Sequence, residues 1–204
     1  MTSLLGIDEA GRGPVLGPMV MAGIEIPQSA FKDLERQGVA DSKLYGSSTK
    51  AQQRRKELAV WLSSRFRHRI EVADAAEVDL WVLGEGLNAL ERSLARRILG
   101  ALPARPACLD GHNLFKELEE PGITALDKAD ATHLEVAAAS ILAKDLRDRL
   151  LDQLVEPYKK AFGEVRGGGY ANLKTLAFVQ WHQKTEGNLP PFYRRSYRWK
   201  ALTA

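Results

Sequence analysis

The chain has 204 residues and a mass of 22.6 kDa, which is the size of one ordinary globular domain. With 45% hydrophobic and 27% charged residues it can bury a sizeable core, which excludes a disordered chain, a collagen and a coiled coil. Basic residues exceed acidic ones by 29 to 26, and a net charge of +3 does not by itself indicate a polyanionic partner.

Strand and helix patterns alternate along the chain. Short apolar runs predict strands at Ser3–Asp8, Val15–Ile26, Arg67–Val72, Ala107–Asp110 and Gly122–Leu126. Helical spacing of apolar residues predicts helices at Ser48–Arg65, Leu80–Leu99, Ala131–Val155 and Leu173–Gln183. The glycine-rich segment Gly163–Gly169 is typical of a loop. This order indicates an α/β domain with a mixed central β-sheet and a helical C-terminal region.

The first predicted strand ends in two adjacent acids, Asp8 and Glu9, followed by the turn Gly11-Arg12-Gly13. Two carboxylates at the end of a buried strand are costly unless a positive group neutralises them. The glycines leave the backbone bare, so a ligand could approach it closely, and Arg12 could contact a phosphate. A plain turn in which Arg12 pairs with one acid explains the same residues, and this alternative stays open.

Two further acids are placed in a similar way. Asp110 ends the predicted strand Ala107–Asp110, and Asp130 stands where the longest predicted helix begins. Ligands of open α/β sheets gather at the carboxyl ends of strands, so Asp8 and Asp110 could meet around a divalent cation. The alternatives are an Asp-Gly turn for Asp110 and a helix N-cap for Asp130.

The residue types narrow the chemistry. The four histidines are scattered and there is one cysteine, so carboxylate oxygens with Mg²⁺ or Mn²⁺ fit better than a zinc site. The sequence lacks the GxxxxGK[ST], strand-linked GxGxxG and GxSxG motifs, which excludes the common nucleotide-binding loops and the serine nucleophile elbow. Metal ions that flank a phosphodiester are the chemistry most compatible with this set.

Charge is uneven along the chain. Residues 156–204 carry nine basic and three acidic side chains, whereas residues 1–155 carry 20 basic and 23 acidic ones. An acidic body with a basic C-terminal part could place carboxylates beside a surface that binds a polyanion. A solvated basic tail explains the same pattern equally well.

Cysteine content and hydropathy bear on the compartment. Cys108 has no cysteine to pair with in the chain, which favours a reducing environment. The N-terminus lacks a basic signal-peptide start, and no segment reaches the roughly 18 apolar residues of a membrane span. We therefore expect a cytoplasmic protein with no membrane partner.

Seven ordered motifs make the sequence resemble the ribonuclease HII family, the type 2 ribonucleases H. They are DEAGRGP at 8–14, DSK at 41–43, LDG at 109–111, KADA at 128–131, AASILAK at 138–144, GY at 169–170 and RRSY at 194–197. The resemblance covers nearly the whole chain. It implies an RNase H-like fold, a central mixed β-sheet flanked by helices, in one catalytic domain over residues 1–204.

The resemblance also implies an active site and an activity. A four-carboxylate site maps onto Asp8, Glu9, Asp110 and Asp130 and would bind two divalent ions, Mg²⁺ or Mn²⁺. The implied enzyme is a metal-dependent endoribonuclease that hydrolyses the RNA strand of RNA–DNA hybrids. It would also incise 5′ to ribonucleotides embedded in duplex DNA, leaving a 5′-phosphate and a 3′-hydroxyl.

Substrate contacts follow from the same resemblance. Gly11, Arg12 and Gly13 would read the ribose 2′-hydroxyl, the group that distinguishes RNA from DNA, while Tyr170 would stack on the adjoining sugar. Phosphate contacts are expected from Lys43, Lys144, Arg194 and Arg195. Lys43 and Lys144 could equally pair with the acids.

Some positions depart from the family pattern. Ala171 follows Tyr170 where proline is usual, and three glycines precede the tyrosine, which predicts a looser loop. Trp81 stands where asparagine is common, and Asp145 stands at a usually apolar position. None of these is one of the four carboxylates, so we expect an active but divergent member.

Two other functions compete with this interpretation. An RNase H-fold nuclease acting on DNA would have no use for a 2′-hydroxyl reader such as the Gly11–Gly13 loop. A non-catalytic module that binds RNA–DNA hybrids would gain nothing from four acids that repel each other and the phosphates. We expect a monomer. A sliding clamp is a partner within the family, although residues 198–204 contain no convincing clamp peptide.

Overall fold

The computed structural model describes residues 2–39, 48–199 and 202, so the DSK motif with Lys43 lies outside the described residues. The strands are β1 (Ser3–Ala10), β2 (Met19–Pro27), β3 (His68–Ala73), β4 (Ala107–Asp110) and β5 (Ile123–Leu126). The helices are α1 (Phe31–Arg36), α2 (Thr49–Arg65), α3 (Ala75–Leu83), α4 (Leu87–Ala101), α5 (His112–Phe115), α6 (Leu134–Val155), α7 (Lys159–Phe162) and α8 (Leu173–Glu186). No helix among these residues combines the length and apolarity needed to cross a membrane.

The five strands form one mixed sheet in the order β3-β2-β1-β4-β5. Strand β1 is antiparallel to β2 and parallel to β4, and β4 is parallel to β5. In the parallel register Ile7 lies opposite Leu109, so the residues that follow them, Asp8 and Asp110, reach the same edge of the sheet. The predicted α/β class with a mixed sheet flanked by helices is confirmed.

Contacts divide the chain into two compact units. Unit 1 consists of Met1–Ala10, Val20–Glu71 and Asn88–Leu146, and unit 2 of Gly11–Met19, Val72–Leu87 and Arg147–Ala204. Unit 1 contains strands β1, β4 and β5 and all of β2 except Met19, whereas unit 2 contains α3, α7, α8 and the basic C-terminal part.

Two glycines bring helices close to the sheet in unit 1. A Cβ atom at Gly6 of β1 would collide with the backbone of Glu135 and Val136 at the start of α6. A Cβ atom at Gly23 of β2 would collide with the side chain of Ile98 in α4. Buried alanines in α6 add to this close packing.

Aromatic side chains build the core of unit 2. Phe178 of α8 is fully buried and stacks on Phe192 with 6.2 Å between ring centroids. Tyr158 meets Phe178 edge-on at 5.5 Å, and such pairs contribute about 0.5–1.5 kcal/mol beyond their buried area. The side chain of Asn172 caps α8 by accepting from the N–H groups of its first turn. This core fixes the chain on either side of α8.

Two predicted elements differ from the structure by more than three residues. The predicted strand Val15–Ile26 begins only at Met19, because Gly17 adopts a left-handed φ of 83° and Pro18 follows it. The predicted helix Leu80–Leu99 is two helices, α3 and α4. They are separated at Gly84–Gly86, where Gly86 has a φ of 94° that a continuous helix cannot contain.

Candidate active site

Strands β1 and β4 deliver two carboxylates to one edge of the sheet of unit 1. Asp8 lies near the end of β1 and is only 5% exposed, and Asp110 is the last residue of β4. Gly111 follows with a φ of 109°, so the chain turns sharply after Asp110. The edge at which parallel strands end is where α/β sheets bind their ligands.

Asp130 reaches the same place from the turn after β5. Lys128 adopts a left-handed φ of 59°, and Ala129–Ala131 form a single 3₁₀ turn. The Ala129 N–H donates to Oδ1 of Asp110 at 2.7 Å, which ties this turn to β4. The N-cap interpretation of Asp130 is wrong, because α6 begins only at Leu134. The carboxylate of Asp130 is buried and belongs to a group of acids.

Asp8, Asp110 and Asp130 form the carboxylate cluster. One oxygen of each residue lies within 4.8 Å of the corresponding oxygens of the other two. Mg²⁺ binds oxygen ligands at about 2.1 Å, so oxygens this close can share one cation after small adjustments. The structure therefore brings together three of the four predicted carboxylates.

The electrostatics of the cluster favour a bound cation. Burial raises the pKa of Asp8 well above its usual range, and the charges of Glu9 and Asp110 raise this pKa further. Hydrogen bonds from the Ser140 side chain and from the Glu9 N–H, at 2.7 Å, lower it in part. Asp8 and Asp130 are buried and Asp110 is half-buried, and the all-oxygen ligand set that they offer suits Mg²⁺ or Mn²⁺.

Glu9 follows Asp8 on β1 and differs from the other three acids. Side chains of consecutive strand residues point to opposite faces, so Glu9 and Asp8 diverge. Glu9 is half-buried and its charge acts on Asp8, but the group of three close oxygens does not include it. Its role as a fourth metal ligand stays a prediction.

Helix α6 contributes Ser140 to the site. This buried serine, which shares a helix face with Lys144, hydrogen-bonds to Asp8. Lys144 itself is half-buried one turn later. The sequence analysis did not assign Ser140 a carboxylate partner. A polar residue within a run of buried alanines was the available signal.

In unit 2 the loop Gly11–Gly17 is held by two buried arginines, Arg147 and Arg194, which we call the arginine pair. Arg194 is fully buried and donates from Nε to the Gly17 carbonyl at 3.0 Å and from Nη1 to the Arg12 carbonyl at 3.1 Å. The prediction that Arg194 contacts phosphate is therefore wrong, because its guanidinium is enclosed and bonded to the backbone. Burial also lowers the pKa of Arg194.

Arg147 of α6 is the second member of the pair and was missed by the sequence analysis. It is 4% exposed, and its Nη2 donates to the carbonyl of Gly168 at 2.7 Å and to that of Leu16 at 3.3 Å. It therefore links the Gly11–Gly17 loop to the loop that precedes Tyr170. The signal was an arginine four residues before the buried Leu151, on the apolar face of a helix.

Tyr170 lies beside Gly13 in unit 2. A Cβ atom at Gly13 would be 3.5 Å from Cε1 of the tyrosine, whose side chain is 52% exposed. The Gly169 carbonyl accepts from the N–H groups of Val15 and Leu16 at 2.8 and 3.1 Å. The side chain of Asn172 donates to the Gly167 carbonyl at 2.9 Å. The expected looseness around Ala171 is thus countered by hydrogen bonds on both sides of Tyr170.

Asp79 of α3 anchors the C-terminal RRSY motif and was also missed. Its carboxylate accepts from the backbone N–H groups of Arg195 and Ser196, each at 2.8 Å. The side chain of Arg195 remains exposed, as a phosphate contact requires. Trp81, two residues after Asp79, is half-buried. No sequence signal connected Asp79 with a motif 116 residues away.

Comparison with known proteins decides the family. The ribonuclease HII family model matches residues 5–93 and 110–200, which include all three acids of the cluster. The chain belongs to the ribonuclease HII family. It is 35% identical to ribonuclease HII of Methanobrevibacter smithii, with 95% of this chain and 94% of that protein covered. It is 34% identical to ribonuclease HII of Methanothrix thermoacetophila, with coverage of 97% and 95%.

Solved structures confirm the RNase H-like fold. Ribonuclease HII of Archaeoglobus fulgidus, solved in a complex with PCNA, is 30% identical with a TM-score of 0.77 and coverage of 96% and 95%. Ribonuclease H2 of Pyrococcus horikoshii is 29% identical with a TM-score of 0.78 and coverage of 97% and 94%. Family membership confirms the predicted enzyme class, a metal-dependent ribonuclease that acts on RNA–DNA hybrids.

Proposed function

We propose that the protein is an endoribonuclease that cuts the RNA strand of hybrids and also incises 5′ to single ribonucleotides in duplex DNA. Its products carry a 5′-phosphate and a 3′-hydroxyl. The carboxylate cluster carries this proposal, because three acids within 4.8 Å of each other at a sheet edge suit a cation that binds a phosphodiester. The exposed backbone at Gly13 beside Tyr170 supports the reading of a ribose.

Two divalent ions, Mg²⁺ or Mn²⁺, would be held by Asp8, Asp110 and Asp130 together with Glu9. When bound, they supply an activated water and charge stabilisation at the leaving 3′-oxygen. Ser140 holds the Asp8 carboxylate and the Ala129 N–H holds that of Asp110, so both ligands are oriented before a metal binds. The raised pKa of Asp8 means that metal binding is coupled to loss of a proton.

The loop Gly11–Gly13 and Tyr170 are proposed to recognise the ribonucleotide. Glycine allows a backbone N–H to approach a 2′-hydroxyl where a side chain would block it. The half-exposed ring of Tyr170 offers an apolar face on which a sugar can pack. Arg12 and Arg195 are exposed, and we propose them with Lys43 and Lys144 as contacts to phosphates.

We further propose that the chain works as one catalytic domain over residues 1–204 and as a monomer in the cytoplasm. The family model matches residues of both units, which supports a single functional domain. A sliding clamp is a proposed partner, because the relative from Archaeoglobus fulgidus was solved in a complex with PCNA.

The proposed function is tested with three substrates: a DNA duplex with one embedded ribonucleotide, its all-DNA twin and an RNA–DNA hybrid. Each is incubated with no metal, with Mg²⁺ and with Mn²⁺, and the cut position is mapped. We expect metal-dependent incision 5′ to the ribonucleotide with the all-DNA twin intact. Cutting of the hybrid alone would contradict ribonucleotide incision, and cutting of the all-DNA twin would favour a DNA nuclease. Binding of the hybrid without any cutting would favour a non-catalytic module.

Replacement of Tyr170 by alanine tests the sugar contact. We expect kcat/KM for the single-ribonucleotide duplex to fall roughly tenfold, the order that loss of one stacking aromatic produces, while metal affinity is unchanged. Leu173→Ala is the matched control, because Leu173 is 83% exposed and lies three residues away. Equal activity of the Tyr170→Ala variant and this control would remove Tyr170 from the site.

A further inference from the structure

The carbonyl oxygen of Arg12 accepts two hydrogen bonds from the C-terminal segment of unit 2. The hydroxyl of Tyr197 donates to it at 2.6 Å, and Nη1 of Arg194 donates to it at 3.1 Å. The two donors also contact each other, with 3.2 Å between Nη1 and the hydroxyl and the guanidinium 5.2 Å from the ring centre. The carbonyl of the exposed residue Arg12 is thus fixed by a neutral and a charged donor.

Fixing this carbonyl also fixes the next N–H group. The peptide bond between Arg12 and Gly13 is planar and trans, so the Gly13 N–H points opposite to the Arg12 carbonyl. Gly13 is exposed, and its N–H donates to no acceptor among residues 2–39, 48–199 and 202. The two donors therefore hold a backbone N–H group directed away from the buried side of the loop.

The donors are themselves held in place. The backbone N–H of Arg194 donates to the Val15 carbonyl at 2.8 Å, and its Nε donates to that of Gly17. Asp79 holds the two N–H groups between Arg194 and Tyr197. The hydroxyl of Tyr197 therefore has little freedom to leave the Arg12 carbonyl. Such a clamped peptide costs little reorganisation when a ligand binds.

We propose that Tyr197 and Arg194 are positioning residues for ribonucleotide recognition. They orient the peptide between Arg12 and Gly13 so that the Gly13 N–H is offered to the 2′-oxygen of the ribose. This inference rests on the proposed function, in which the Gly11–Gly13 loop reads the ribose. It assigns to the RRSY motif an effect on specificity in place of phosphate binding by Arg194.

The Tyr197→Phe variant tests the inference, because it keeps the ring under the guanidinium and removes only the hydroxyl. We expect kcat/KM for the single-ribonucleotide duplex to fall about fivefold, the order of one neutral hydrogen bond. The inhibition constant of the all-DNA twin, measured as a competitor, should not change. A structural defect would weaken the binding of both duplexes, so the two readouts distinguish loss of positioning from damage to the fold.

Tyr193→Phe is the matched control. It removes the same group four residues earlier, where the hydroxyl makes only a long 3.5 Å bond to the Tyr197 carbonyl. We expect both readouts to remain at wild-type values in this variant. Arg194→Lys, which keeps the charge but not the planar fork, should lower kcat/KM at least as much as Tyr197→Phe.

Gly13→Ala separates failure of this inference from failure of the proposed function. The new Cβ makes an ordinary 3.5 Å contact with Tyr170 and so leaves the protein folded, but it occupies the approach to the Gly13 N–H. We expect a loss on the order of 100-fold for the ribonucleotide duplex. A large loss in Gly13→Ala with none in Tyr197→Phe would overturn the positioning role alone. Wild-type activity in both variants would overturn the ribose-reading loop itself.

Discussion

The carboxylate cluster of unit 1 and the arginine pair of unit 2 deal with buried charge in opposite ways. The cluster gathers three acids within 4.8 Å of each other, and burial and neighbouring acids raise the pKa of Asp8. Each member of the pair donates to two backbone carbonyls: Arg147 to those of Leu16 and Gly168, and Arg194 to those of Arg12 and Gly17.

This difference distinguishes the carboxylate cluster, which is suited to binding a cation, from the arginine pair, which stabilises the surrounding loops. Backbone carbonyls inside the protein accept hydrogen bonds from each buried guanidinium, so both arginines have partners of their own within unit 2. Like-charged carboxylates repel each other, so the cluster favours a bound cation. Removal of a charged side chain should therefore change the stability of the fold with opposite sign in the two regions.

The largest effect is expected from Asp110→Asn in the cluster. Asparagine keeps the acceptor for the Ala129 N–H but removes a metal-binding charge, so cleavage should fall roughly 1000-fold or more while the fold is retained. Initial rates on the RNA–DNA hybrid with Mg²⁺ measure this loss. Asp127→Asn, an exposed acid outside the cluster, is the control. Undiminished cleavage in the Asp110→Asn variant would show that the cluster is not the catalytic site.

A large effect on stability is expected from Arg147→Met in the arginine pair. The change leaves the carbonyls of Leu16 and Gly168 without a charged donor, which should lower the free energy of unfolding by roughly 2–5 kcal/mol. Denaturant titration measures this difference. Arg149→Met, two residues along the same helix and exposed, should stay within about 0.5 kcal/mol of wild type. Similar stability of the two variants would contradict the holding role of Arg147.

A smaller effect on stability, opposite in sign to that of Arg147→Met, is expected from Asp8→Asn in the absence of metal. The pKa of Asp8 is raised above its ordinary value of 3.8, so the folded state holds the proton more tightly than the unfolded state. The corresponding stability is present at low pH and is lost as pH rises through the folded-state pKa. In EDTA the Tm of the wild type should therefore fall with rising pH more steeply than that of Asp8→Asn. Parallel curves of Tm against pH for the two proteins would contradict this prediction. Added Mg²⁺ should restore the Tm of the wild type but not that of Asp8→Asn.

Most of the fold and of the carboxylate cluster could be predicted from the sequence, because both depend on local sequence patterns. Short apolar runs located the strands, and strands that end in acids indicated that Asp8 and Asp110 could meet. The break between α3 and α4 coincides with Gly84 and Gly86, but the regular leucine spacing predicted one continuous helix. The third acid, Asp130, was placed correctly in the motif, although its local geometry is a 3₁₀ turn and not a cap.

The arginine pair could not be predicted because its partners are distant in the chain. Arg147 bonds to a carbonyl 131 residues away, and Arg194 to carbonyls 177 and 182 residues away. A basic residue in a basic C-terminal part is typical of a solvent-exposed contact, and only the tertiary structure shows that Arg194 is enclosed. Every residue has a backbone carbonyl, so the amino-acid sequence does not indicate which carbonyls accept hydrogen bonds from an arginine.

The two glycines of the sheet in unit 1 imply different routes for sequence drift. At Gly6 an added side chain would meet the main chain of Glu135 and Val136, which no substitution elsewhere can shrink. At Gly23 it would meet the side chain of Ile98, which a smaller residue could replace. Position 23 can therefore change in concert with its neighbour, whereas position 6 is confined to glycine for as long as α6 lies on β1 and Ser140 reaches Asp8.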